Sequence, residues 1–198
     1  MDFVLLDTRD RASIAAAALE VVGRFPALNV VVNNAGVQRH HDFSGAVDES
    51  AIADEIQTNI MGVIGMTTAF LPYLKERDST IVNVSSGLAF VPMARFPVYC
   101  ATKAFVHSFT VSLRHQLRGT SVRVIELAPP WVESELGSGH STFLVAPGRG
   151  PMPLDSFIAA AMEDLASDRE ELAVAGAKFL YGAGVGEKFA EVFWQMNG

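Results

Sequence analysis

Three short runs of apolar, mostly β-branched residues, NVVV (29–32), TIVNV (80–84) and VRVIEL (122–127), are separated by much longer stretches of helical period. A fourth run, FVLL (3–6), precedes RASIAAAALEVVGRF, and helical patterns also extend from about Asp48 to Lys75 and from about Val98 to Arg118. Strands apolar on both faces and joined through helices bury themselves in a parallel sheet covered on both sides. The fold class is therefore α/β, a doubly wound parallel sheet with helices on both faces.

Of the 198 residues, 49% are hydrophobic and 19% charged, which fits one globular domain with a substantial core. The net charge is -7, and no lysine or arginine run occurs anywhere. That balance argues against nucleic-acid or acidic-membrane partners and leaves small molecules and proteins. Cys100 is the single cysteine, so no intrachain disulfide and no metal-ligand pattern can form, and a cytoplasmic setting is expected. His40 and His41 beside Asp42 read as a polar loop rather than a metal site, because adjacent histidines point in different directions. No basic leader precedes an apolar core at the start. Ile56 to Leu74 carries no charge but contains Gln57, Asn59, three threonines and Pro72, so a buried helix is expected there rather than a membrane span.

Beyond Pro129 glycines and prolines crowd the chain, among them Gly137, Gly139, Pro147, Gly148, Gly150, Pro151 and Pro153. Such a segment cannot hold regular structure for long. It follows the carboxyl end of a strand, where open α/β sheets bind ligands, so a substrate loop is expected over about residues 135–165. PLDSFIAAAMEDLA then reads as a helix, LAVAG as a last strand and GEKFAEVFWQMN as a closing amphipathic helix. With no repeat and no linker, residues 1–198 read as one domain.

Chemistry-bearing residues gather at strand ends. NNAG (33–36) follows NVVV, SSG (85–87) follows TIVNV, YCATK (99–103) opens the next helix, and APPWVES (128–134) follows VRVIEL. Each alone is a common turn, cap or chance pairing. In YCATK the phenol and the amine lie four positions apart, one turn along a helix face. The order Asn59, Ser86, Tyr99, Lys103 behind an NNAG turn resembles the short-chain dehydrogenase/reductase family over nearly the whole chain. YCATKAFVHSFTVSLRHQL and VIELAPPWVESEL look most like a poorly characterised bacterial and fungal branch of reductases.

That resemblance implies a Rossmann-type sheet, an NAD or NADP cofactor and a small-molecule alcohol or carbonyl substrate. It makes Tyr99 the proton donor or acceptor during hydride transfer. A free phenol near pKa ~10 is poorly poised for this, and the charge on Lys103 is expected to lower it. Lys103 would also hold the nicotinamide ribose, Ser86 would orient the substrate oxygen, and Asn59 would bend its helix around a proton-relaying water. Asp7, with Thr8 beside it, matches the acceptor of the adenine amino group. Asn34, Ala35 and Gly36 match the adenine-ribose wall, Pro129 and Val132 face the nicotinamide, and Ser134 stands where a threonine meets the carboxamide. Pro130 replaces a usual glycine, which fixes φ and removes an N–H donor.

The larger departure is at the start. Family members begin with a strand, a glycine-rich TGxxxGxG turn, a helix and a second strand, and no GxGxxG occurs in these 198 residues. Roughly a fifth of a typical α/β domain of ~250 residues is thus missing from the expected pattern. That turn and its helix N-terminus hold the cofactor pyrophosphate. The absent strand would lie beside NVVV, so FVLL is expected to move inward and pair with NVVV, or a partner chain to cover the edge. A fragment, or a longer reading frame starting upstream of Met1, gives the same pattern.

The expected function is an NAD(P)-dependent oxidoreductase. The alternative is a non-catalytic scaffold that keeps the family's association surface, where helices around Met61 to Tyr73 and Phe105 to Leu117 form a homodimer or tetramer interface. Phe90, Phe96, Trp131, Phe143 and Leu144 are candidates for an apolar substrate pocket.

Overall fold

The computed structural model describes residues 2–136, 150–184, 192 and 195. The whole 137–149 stretch, with Phe143 and Leu144, lies outside them, as does nearly all of the expected closing helix. Four parallel strands form one sheet in the order β1 (Val30–Asn33), β2 (Ser79–Val84), β3 (Val122–Ala128) and β4 (Glu171–Ala173). Registry runs Val31 to Ile81 to Val124, and Leu127 to Leu172. The alternation of strand and helix read from the sequence is therefore a Rossmann-like parallel sheet.

Helix α1 (Arg11–Arg24) starts where the Asp10 carboxylate accepts from the Ala12 N–H at 2.8 Å, and it buries Ile14, Ala17 and Ala18 on one face. That face lies against α3 (Gly62–Leu74), and a Cβ at Gly65 would come within 2.7 Å of the Ile14 side chain. Helix α2 (Glu49–Ile56), capped by Asp48, runs into α3 through a π turn at Gln57–Met61. The expected single helix from Asp48 to Lys75 is thus three phased segments. Helix α4 (Pro97–Gln116) uses Pro97 in its first turn, where a missing N–H costs nothing. No helix among the described residues is long and apolar enough to cross a membrane.

Two cores sandwich the sheet. On one face Ile81 and Val124 pack with Phe70, Leu74, Leu113 and Leu117 from α3 and α4. On the other, Val82, Val84, Ile125 and Leu127 pack with Ala161 of α5 (Leu154–Leu165) and with Leu172 and Val174. A polar ladder crosses the first core: Asn33 Nδ2 donates to Asn83 Oδ1 at 2.8 Å, and Asn83 Nδ2 donates to Thr110 Oγ1 at 3.0 Å. Helix α6 (Ala177–Gly184), which the sequence reading lacked, follows β4.

Two expectations fail at the β1 edge. FVLL forms no strand and does not pair with NVVV; Phe3 and Leu5 are 82% and 99% exposed. A hollow of about 110 Å³, lined by residues that include Leu6, Thr8, Val32 and Asn33, lies between the two segments. Nor is β1 covered on both faces. Val30 and Val32, in register with Thr80 and Val82, face the side where α5 packs, but they are 46% and 54% exposed. The α5-side core is built on β2, β3 and β4, not on β1. Apolar composition marked β1 as a strand without saying which of its neighbours would be present.

Candidate active site

The carboxyl ends of β1, β2 and β3 and the first two turns of α4 converge on one place. Asn59, Ser86, Tyr99 and Lys103 are all buried there, between 1% and 8% exposed. Lys103 Nζ lies 5.7 Å from the centre of the Tyr99 ring, as the one-turn spacing requires, and donates to the Val84 carbonyl at 2.8 Å. The Ser86 side chain stands beside the Tyr99 phenol, where it favours the ionised form, and its Oγ accepts from the Leu88 N–H at 3.1 Å.

Asn59 occupies the π turn, and its amide is fully engaged. Oδ1 accepts from the Val37 N–H at 2.8 Å, while Nδ2 donates to the Val37 carbonyl at 2.8 Å and to Thr102 Oγ1 at 3.0 Å. Thr102 in turn donates to the Tyr99 carbonyl at 2.7 Å, joining the helix turn to the tyrosine. Gly36 closes the cluster: a Cβ there would stand 3.3 Å from Asn59 Oδ1 and 3.6 Å from Lys103 Nζ. Only a residue without a side chain leaves this approach to the lysine open.

Burial dominates the electrostatics. The Tyr99 phenol is pushed up to about 12 by desolvation, with the neighbouring Ser86 hydroxyl opposing the rise. The Lys103 amine is pushed down to about 8 by the same cause. This reverses the expectation that Lys103 would lower the tyrosine's pKa. The lysine's nearest polar partner is the Val84 carbonyl, and enclosure disfavours both phenolate and ammonium. At neutral pH the pair therefore holds a neutral phenol beside a still mostly charged amine, the state in which a tyrosine can give up a proton to a carbonyl oxygen.

The other residues singled out in the sequence are placed more loosely. Asn34 and Ala35 are exposed at the end of β1, beside Thr8, whose side chain packs where a Cβ on Gly62 would clash at 3.1 Å. Asp7 receives Arg9 through both carboxylate oxygens, at 3.0 and 2.9 Å, which holds its carboxyl down at about 2. Its acceptor atoms thus already have a partner. The Pro129 carbonyl accepts from the Gly87 N–H at 2.9 Å, tying the two strand-end loops together. Val132 forms an isolated parallel bridge with Met152, and Ser134 is exposed beyond it. Phe90 and Phe96 are buried against neighbouring side chains, so they belong to the core, while Trp131 is 41% exposed.

Sequence reasoning missed the supports around this set. Glu55, wholly buried one turn before Asn59, hydrogen-bonds His41 Nε2 at 2.8 Å and accepts from the Arg39 N–H at 3.2 Å. Desolvation raises its pKa. Together with Asn59 it stitches the loop after NNAG onto α2 and the π turn. The i, i+4 spacing of Glu55 and Asn59 was a usable signal, but their common target, a loop distant in sequence, was not. Among the described residues no group of three or more His, Cys, Asp or Glu side chains is placed to hold a metal ion.

The chain matches the family model for short chain dehydrogenases over residues 1–142. It is 48% identical over 132 residues to the uncharacterized oxidoreductase DltE of Bacillus subtilis, covering 66% of this chain and 52% of that protein. It is 38% identical over 125 residues to the NADP-dependent 3-hydroxy acid dehydrogenase YdfG of Salmonella typhi, covering 63% of this chain and 50% of that one. The chain thus spans about half the length of the curated relatives it matches. A short chain dehydrogenase from Burkholderia cenocepacia, solved in complex with NADP, superimposes with a TM-score of 0.83 at 25% identity, over 98% of this chain and 77% of that one. With the strand order and the family match in agreement, the chain belongs to the short chain dehydrogenase family.

Proposed function

We propose that this chain carries the proton-delivering half of an NAD(P)-dependent oxidoreductase that interconverts an alcohol and a carbonyl. The observation that carries this reading is the burial together of Ser86, Tyr99, Lys103 and Asn59, with Gly36 against Asn59 and Lys103 and with Asn59 and Lys103 fixed by hydrogen bonds. Ser86 and Tyr99 bind the substrate oxygen, and the neutral phenol supplies the proton when a carbonyl is reduced. Lys103, fixed by the Val84 carbonyl, presents its remaining N–H donors toward Gly36 and the ribose of a nicotinamide nucleotide. A bound nicotinamide supplies the hydride.

The residues present fit the nicotinamide end of such a cofactor, since the space a Cβ would fill at Gly36 opens on the lysine. Pro129, Val132 and Ser134 belong to the same wall. The adenine end, built on Asp7, Thr8, Asn34 and Ala35, accepts a ligand only as Arg9 yields the Asp7 carboxylate. Residues 1–198 then act as one incomplete domain, with the 135–165 stretch as its substrate loop, in the cytoplasm, where a buried thiol such as Cys100 stays reduced.

A second observation favours self-association. Ile64, Thr67, Thr68, Leu71, Pro72 and Phe109 help to line an open apolar groove of about 470 Å³ between α3 and α4, the two helices expected from the family resemblance to pair. A homo-oligomer built there is compatible with catalysis, and also with a scaffold that has lost it.

Calorimetric titration with NADH and NADPH separates the two. Saturable binding is expected for the wild-type chain and for Tyr99→Phe, with carbonyl reduction falling at least ~100-fold in the variant, the scale of one lost general acid. A folded chain that binds neither nucleotide would leave only the scaffold reading.

A further inference from the structure

Tyr99, Lys103 and His107 stand on successive turns of one face of α4. Each meets the same strand end. Tyr99 stands beside Ser86 and Lys103 donates to the Val84 carbonyl, whereas His107 reaches Ser85 through an intermediary. The intermediary is Glu126, on β3 and 1% exposed. Its Oε1 accepts from Ser85 Oγ at 2.5 Å, and its Oε2 pairs with His107 Nδ1 at 2.7 Å. The helix face thus stands against Val84, Ser85 and Ser86 at and just beyond the end of β2, and the His107 link passes through a buried carboxylate that touches no part of the reacting set.

A carboxylate is costly to bury and is retained where its oxygens are used. Here both oxygens are used, on two different elements. The His107 ring is further fixed edge-on to Phe90, at 5.0 Å between centroids, and Phe90 to Tyr181 at 4.9 Å. Around the pair stand Glu171, which accepts from the Tyr181 hydroxyl at 2.7 Å, and Arg114, 3.1 Å from the same carboxylate.

We propose that Glu126 and His107 are positioning residues that hold Ser86 beside Tyr99 by anchoring the neighbouring Ser85 to α4. Main-chain hooks from Ser85 N–H to the Leu127 carbonyl and from Gly87 N–H to the Pro129 carbonyl keep the loop on β3. They set its distance from β3 but not its distance from α4. The Glu126 bridge supplies that second constraint. The inference rests on the reading of Ser86 and Tyr99 as the proton-delivering pair.

The experiment labels the tyrosines with carbon-13 at Cζ in the full chain and reads the Tyr99 signal near neutral pH, assigned by its loss in Tyr99→Phe. The Ser86→Ala variant calibrates the shift that follows loss of the Ser86 contact. Glu126→Met, which keeps the volume and removes both bonds, is expected to move the signal in the same direction by about half that calibration or more. Glu126→Gln, whose amide can accept from His107 and donate to Ser85, is expected to restore the wild-type position. If Glu126→Met does not fold, half-buried His107→Leu severs the same bridge and is expected to give a smaller shift of the same sign. A wild-type signal in folded Glu126→Met or His107→Leu, with Ser86→Ala shifted, would overturn the positioning role and leave the site reading standing. No shift in Ser86→Ala would overturn both.

Discussion

At the scale of single residues, the site depends on side chains that are buried before they are reactive. Asn59 shows the logic: its amide makes three hydrogen bonds, two of them to the backbone of Val37. Each net bond is worth ~1 kcal/mol, and orphaned partners cost more. Asn59→Leu is therefore expected to lose about 2–3 kcal/mol in urea unfolding; a loss under ~0.5 kcal/mol would show that the Val37 loop holds itself. The candidate residues were legible in the sequence because their spacing is fixed by helix geometry and their order is a family pattern. Their electrostatics were not. Whether Lys103 lowers the Tyr99 pKa depends on how much water reaches both groups, and burial is a property of the assembled fold. The same holds for Thr102, an unremarked letter between tyrosine and lysine until its hydroxyl is seen accepting from Asn59 on the π turn and donating to the Tyr99 carbonyl of its own helix.

At the scale of elements, β2, β3 and α4 form the rigid frame, and the His107–Glu126 pair clamps two of them together. Glu126 raises the His107 pKa above its ordinary value of 6.5, chiefly by hydrogen bonding. A cation stabilised in the fold contributes fully below the unfolded-state value and is lost as pH rises through the folded-state value. Thermal stability is thus expected to fall from about pH 6.5 upward, and His107→Gln to flatten that decline. An unchanged slope in the variant would assign the pH dependence to other groups. Strands β2 and β3 and helices α1, α4 and α5 were readable because their apolar period is continuous. FVLL carried the same signal and failed, because a strand needs a partner edge and composition does not say whether one is in place. Helix α6 was hidden by AKFLYGAG, whose two glycines and short length resemble a loop.

At the scale of the whole molecule, stability is uneven across the sheet. Strands β2 and β3 are covered on both faces, while β1 has an open edge and an exposed face carrying Val30 and Val32. Such a surface invites pairing with other chains. Val32→Lys is expected to change unfolding free energy by less than ~1 kcal/mol, the span of strand propensity, while reducing concentration-dependent light scattering. Unchanged scattering would place the association surface elsewhere, the α3–α4 groove being the other apolar candidate.

The π turn at Gln57–Met61 holds one more residue than an α turn, and this uncouples the angular phase of α2 from that of α3. Removing a residue there would restore plain α geometry and swing everything downstream by about 100° around the helix axis. Phe70 and Leu74 would then leave the core while Glu55 stayed in place. Length within this turn is consequently under tighter constraint than the identity of its half-buried side chains: a single-codon deletion would set the half of the helix that serves the site against the half that builds the fold.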